Sequence, residues 1–88
     1  MKYKVTQNFG RADENLNEFV SKKKAISFAK GIFEYYIKQW RKYNKGTEYN
    51  LITNTLEYSN PKYLDINLSL RICHNNYIPF NINVRSYE

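Results

Sequence analysis

The sequence predicts an α+β fold in the order β-α-β-β-β, with one long helix packed on a curved four-stranded antiparallel sheet. Three observations predict it. The stretch from Ser21 to Gly46 has a helical period over its whole length. The runs Tyr63 to Cys73 and Tyr77 to Tyr87 alternate apolar and polar residues, as half-buried strands do. With 88 residues, the chain has room for one domain spanning 1–88.

The first strand is Lys2 to Phe9. Tyr3, Val5, Gln7 and Phe9 share one face, and Lys2, Lys4, Thr6 and Asn8 share the other. Gly10 ends it. The polar stretch Arg11 to Glu18 then reads as a loop with, at most, one turn of helix.

Ser21 suits the N-cap of the helix, because its hydroxyl can accept from an unpaired N–H of the first turn. Val20 would staple onto Ala25. Ala25, Ala29, Ile32, Tyr36, Trp40 and Tyr43 form one apolar stripe, since residues three and four apart stack on a helix. Phe28 and Phe33 widen it. The opposite face carries Lys23, Lys24, Ser27, Lys30, Glu34, Lys38, Arg41 and Lys42. Lys22, Lys23 and Lys24 stand in the first turn, where the helix dipole disfavours each cation by about 0.3–1 kcal/mol. Gly31 would admit a strand at close approach. Gly46 would take the left-handed position after the last turn.

Glu48 to Tyr58 is the second strand. Tyr49 and Leu51 lie in one phase and Ile52, Leu56 and Tyr58 in the other, so a bulge or strong bend near Thr53 is expected. Ser59-Asn60-Pro61 is a turn. The last two strands should form a hairpin. Leu64, Ile66, Leu68, Leu70 and Ile72 face inward on one, and Ile78, Phe80, Ile82 and Val84 on the other. Both sets are even-numbered, so paired residues must sum to an even number. A loop of His74-Asn75-Asn76 satisfies this. It pairs Ile72 with Ile78, Leu70 with Phe80, Ile66 with Val84, Asp65 with Arg85 and Tyr63 with Tyr87. Asn76 would be left-handed. Pro79 lacks an N–H, which suggests an edge strand.

Composition narrows the function. The net charge is +6, with a pI near 9.5. Such a balance favours nucleic acid, an anionic membrane surface or an acidic protein face, although net charge also serves solubility. The N-terminus has no apolar run of signal-peptide or membrane-span length. A soluble, cytoplasmic protein without a membrane partner is therefore expected. Asn, Lys, Ile and Tyr usage points to an AT-rich source, such as a low-GC bacterium or its phage. One Cys and one His cannot build a structural zinc site. Cys73 and His74 are neighbours that point apart, which disfavours nucleophilic catalysis. The three glycines are isolated, so no phosphate loop exists. No catalytic residue, metal or cofactor is expected.

Two surfaces are candidate binding sites. One is the helix face with Lys23, Lys30, Lys38 and Arg41, interrupted only by Glu34, which can pair with Lys30 or Lys38 four residues away. The other is the outer sheet face with Tyr63, Arg71, Arg85 and Tyr87, whose aromatics and cations suit bases or a protein hot spot. The ordinary alternatives are a solvated helix exterior and plain cross-strand pairing.

In element order the chain resembles the cystatin and monellin type of α+β roll. Cystatins inhibit through a Gln-x-Val-x-Gly hairpin. The corresponding turn here is Ser59-Asn60-Pro61, and no functional residue carries over. The chain is also similar to RelE-type toxin ribonucleases in being small, basic and closed by a β-meander, which would make Arg71, Arg85 and Tyr87 a nuclease face. In type it looks like the small phage or mobile-element inhibitors of host proteins and nucleoproteins, such as anti-CRISPR proteins. The leading expectation is therefore a non-enzymatic inhibitor, ahead of a direct RNA- or DNA-binding protein and of a ribonuclease. A homodimer through an edge strand or the outer sheet face is a further expected assembly.

Overall fold

The structure, a computed structural model, describes residues 1–57 and 64–87. Six elements follow in order: β1 (Lys2–Asn8), β2 (Glu14–Phe19), α1 (Lys22–Tyr43), β3 (Tyr49–Glu57), β4 (Leu64–Ile72) and β5 (Phe80–Tyr87). The strands form one antiparallel sheet in the order β2-β1-β5-β4-β3, with α1 on one side. The class is α+β, with one helix on an antiparallel sheet. The expected four strands are corrected to five, and the roll order β-α-β-β-β becomes β-β-α-β-β-β.

The added strand is β2, which the alternation rule hides. Leu16 and Phe19 are three apart, so an ideal strand would put them on opposite faces. The register to β1 shifts between Val5 and Thr6. Asn17 pairs with Val5 and Asn15 with Thr6, leaving Leu16 as the extra residue of a bulge. The bulge resets the phase. Leu16 and Phe19 then both pack on the core, and Phe19 meets Phe28 at a centroid distance of 5.2 Å.

Ser21 caps α1 as expected, its Oγ accepting from the Lys24 N–H at 3.3 Å. Val20 is exposed and staples nothing. At the other end Asn44 is the C-cap. Its Nδ2 donates to the Trp40 carbonyl at 2.8 Å. A turn closed by Thr47 N–H on the Asn44 carbonyl follows, and Gly46 sits inside it at φ 82°. Gly46 therefore serves this turn, one position later than expected.

The buried line of α1 is Ala25, Ala29, Phe33 and Ile37, a strict i+4 row. Ile32, Tyr36 and Trp40 flank it, half-buried, while Tyr43 is 85% exposed. The apolar stripe is thus rotated from its expected centre. The two alanines let the helix approach the sheet closely. Phe33 and Tyr36 then wedge against Phe80, both at 5.8 Å between centroids. Val5, Leu70, Ile82 and Val84 complete the core from β1, β4 and β5.

Gly31 faces open space: a Cβ built there meets nothing within 4 Å. No strand approaches it. Gly31→Ala is expected to stabilise the fold by about 0.5–1 kcal/mol, because alanine restricts the unfolded chain and favours helix. A denaturant titration reads this as a raised midpoint with unchanged slope.

The β4–β5 hairpin has the expected register. Leu70 pairs with Phe80, Ile66 with Val84 and Asp65 with Arg85, and Asn76 is left-handed at φ 56°. The connection is longer than three residues. Ile72 N–H donates to the Tyr77 carbonyl, Ile78 is exposed, and β5 begins only at Phe80. Pro79 therefore precedes the strand, and β5 is its central member rather than an edge. β3 pairs with β4 without interruption, so no bulge lies near Thr53. Tyr63 and the turn Ser59-Asn60-Pro61 lie outside the described residues.

The helix lies over β1 and β5 and also touches β2 and β4, but β3 falls outside its footprint. Its link to β3 runs through Tyr49, which meets Trp40 edge-on at 5.0 Å and lies under the Arg41 guanidinium at 5.4 Å. A step is left between α1 and β3.

Candidate functional site

The charge of the protein is concentrated on α1. Residues 22–43 carry seven basic groups and one acidic one, and the rest of the chain carries seven of each. The helix therefore accounts for the whole net charge of +6. Lys23, Lys24, Lys30, Glu34, Lys38, Arg41 and Lys42 are all exposed. Lys23, Lys30, Glu34, Lys38 and Arg41 fall on one row, spaced at seven, four, four and three, over roughly 27 Å at the helical rise. The structure thus brings together the four helix residues singled out from the sequence.

The expected intrahelical pairing of Glu34 is absent. Among the described residues the one ion pair is Arg85 with Asp65, at 3.3 Å. Lys30 and Lys38 are left as free cations, and Glu34 as a free acceptor. Arg41 alone is anchored, its Nε donating to the Tyr49 hydroxyl. Such an anchor lowers the entropy lost when the guanidinium meets a ligand.

The first turn has no acidic residue, and Lys24 occupies the position where a glutamate would close a capping box on Ser21. Lys24→Glu is expected to stabilise the helix by about 0.5–1 kcal/mol and to weaken binding of any polyanion to this face. Thermal melts and binding isotherms of the same variant would move in opposite senses.

Beside the row, the step between α1 and β3 forms a groove of about 480 Å³ lined by Gly31, Glu34, Tyr35, Ile37, Lys38, Arg41 and Leu51. Tyr35 is 59% exposed and Leu51 51% exposed. Neither was singled out from the sequence. Tyr35 has a signal in hindsight, standing four residues after Gly31 and three before Lys38. Leu51 has none, because its place depends on β3 lying outside the helix footprint.

The outer sheet face behaves differently. Its charges cancel in a cross-strand row: Glu18 pairs with Lys4, Lys4 with Arg85, and Arg85 with Asp65. Tyr87 joins this row. The Lys4 ammonium lies 5.2 Å from its ring centroid, and a hydrogen bond to Glu18 raises the phenol's pKa above the usual tyrosine value. The next row pairs Thr6 with Asn83, Asn83 with Asn67, and Asn67 with Asn54. Much of its polarity is already used. Asn83 donates to Asp65 and to the Ile66 carbonyl, and Ser69 donates to Asn67. Arg71 stands opposite Asn50 with its Nε buried and without a hydrogen-bond partner. Six residues separate it along β4 from Asp65, the partner of Arg85, which is roughly 20 Å of strand. The structure therefore joins Arg85 to Tyr87, leaves Arg71 apart, and does not describe Tyr63. Arg71, Arg85 and Tyr87 do not form one compact cluster.

Cys73 and His74 are exposed in the β4–β5 connection. Among the described residues no three of His, Cys, Asp and Glu are grouped to hold a metal ion, and no helix is long and apolar enough to cross a membrane. Tyr36, half-buried between α1 and β1, donates to Gln7, and its partial burial, followed by the charge of Glu14, pushes its pKa up. It serves the core. No protein family, no curated protein and no solved structure matches this chain significantly.

Proposed function

We propose that this is a non-enzymatic binding protein whose working surface is the outer face of α1 and whose partner is a polyanion: RNA, DNA or a nucleoprotein that presents them. The observation that carries this is the charge partition. All the net positive charge lies on one helix, in no ion pair and with every cation but the half-buried Lys22 exposed, while the sheet neutralises its own charges. A protein using charge only for solubility gains nothing from gathering it on one face, least of all in a first turn where it costs helix stability. Phosphate contacts along such a row release counterions and supply affinity without sequence readout. In a host cell the same face can cover the nucleic acid of a nucleoprotein, which is the action of an inhibitor of the anti-CRISPR type.

Chemical-shift mapping with a short mixed-sequence oligonucleotide at low salt tests the reading. The expected changes fall on Lys23, Lys30, Lys38 and Arg41 and their neighbours. Changes confined to Arg71, Arg85 and Tyr87, or no changes, would contradict it.

A second reading concerns the edges of the sheet and adds a homodimer. β2 is guarded by Glu14, Glu18 and its bulge, as edge strands commonly are. β3 has no charged residue from Tyr49 to Leu56. Antiparallel addition of a second β3 meets no like-charge repulsion there. Sedimentation should show a concentration-dependent dimer that Asn54→Lys weakens, since a lysine on an edge strand opposes strand addition. A monomer at every concentration would remove this reading.

A further inference from the structure

We infer that the step between α1 and β3 is a base-binding groove, so that the polyanion taken by the cationic face is single-stranded nucleic acid. The inference rests on the reading above and narrows its ligand.

The groove joins three features that duplex binding does not require. The first is a ring. Tyr35 stands in the groove with more than half its surface exposed, and an exposed ring between cations is a stacking platform for an unpaired base. A duplex keeps its base faces stacked and cannot offer one. The second is the placing of opposite charges. Lys38 and Arg41 lie one and two turns beyond Glu34 on the row, and Glu34 has no ion pair. A free carboxylate repels phosphate but accepts from base N–H groups. The phosphates therefore follow the cations, and the base turns inward to Glu34 and Tyr35. The third is Gly31. The missing Cβ leaves the helix side of the groove open where every other residue type would project into it. An exposed mid-helix glycine that makes no close contact weakens the helix, and an open groove gives it a role.

The test compares fluorescence anisotropy of labelled mixed-sequence DNA as a short single strand and as the matching duplex, with polyglutamate as a competitor. The expected preference for the single strand is roughly tenfold or more at equal salt. Tyr35→Leu should lose about 5- to 100-fold on the single strand and little on the duplex, whereas Tyr35→Phe should keep the affinity. Gly31→Leu fills the groove from a position with free space and favours helix. It should abolish the single-strand preference without lowering thermal stability, so failure to fold cannot mimic the result. Glu34→Gln should raise duplex affinity by removing a repulsive charge and lower the ratio of single strand to duplex. Equal binding of both forms, or unchanged single-strand affinity in Tyr35→Leu and Gly31→Leu, would overturn the groove and leave the cationic face standing. Competition by polyglutamate as effective as that by unlabelled oligonucleotide would overturn the nucleic-acid assignment. No binding of any polyanion at low salt would overturn this inference together with the reading on which it rests.

Discussion

Replacing Lys23, Lys30, Lys38 and Arg41 together with glutamine is expected to weaken oligonucleotide binding by about 10²- to 10³-fold at roughly 0.1 M salt. The magnitude follows from counterion release: each phosphate contact on a single strand contributes a slope near 0.7 in log affinity against log salt, about fivefold per contact at that salt. Glutamine keeps the helix propensity while removing the charge, so circular dichroism should remain close to that of the parent. Arg41 is the one of the four with a structural tie, to Tyr49, and a melt of Arg41→Gln alone separates that loss from the loss of charge. The paired control is Arg71→Gln with Arg85→Gln, which removes two charges from the sheet face. Arg85 is committed to Asp65 and Arg71 is half-buried, so this control should change affinity by less than about twofold. Equal losses in both variants would mean that net charge matters and the helix face does not.

The second large effect is on stability. Phe33→Ala should destabilise the protein by about 3–5 kcal/mol. The side chain is buried at the centre of the helix row and meets Phe80, itself buried on the central strand. Truncation removes apolar burial and leaves a hole that Ala25 and Ala29 are too small to fill. For a domain of this size the loss is a large part of the whole stability, and each kcal/mol lowers the melting temperature by roughly 4–8 °C. Tyr43→Ala, by contrast, should cost less than about 0.5 kcal/mol, because Tyr43 is a surface residue. Denaturant midpoints of the two variants decide between helix rotations. The opposite ranking would restore the stripe that runs through Tyr43.

What could be read from the sequence, and what could not, follows from the range of the interactions involved. Ser21 is legible as a cap because the contact spans three residues. The register of β4 on β5 is legible because parity allows few alternatives, and Leu70 opposite Phe80 follows from it. β2 is not legible: its bulge puts Leu16 and Phe19 on one face, and only pairing with β1 reveals the bulge. Pro79 misled because it lies one residue outside β5, so the missing N–H belongs to the connection and not to the ladder. β3 misled for a different reason. At an edge beyond the helix neither face is fully covered, so Leu51 and Ile52 need not share a phase. In the candidate site, the cationic row was legible because helical spacing alone aligns Lys23, Lys30, Lys38 and Arg41. The anchoring of Arg41 and the groove over Gly31 depend on where β3 lies, and spacing says nothing about that. The separation of Arg71 from Arg85 was open to counting along β4, since six residues of strand cannot form one cluster.

The most direct test of the central claim is the salt dependence of oligonucleotide affinity for the unmodified protein. The cationic row of α1 predicts that log affinity falls linearly with log salt with a slope of about −3, four contacts at roughly 0.7 each. A slope near zero, or the absence of binding at low salt, would contradict the claim and leave the charge of α1 as a matter of solubility alone.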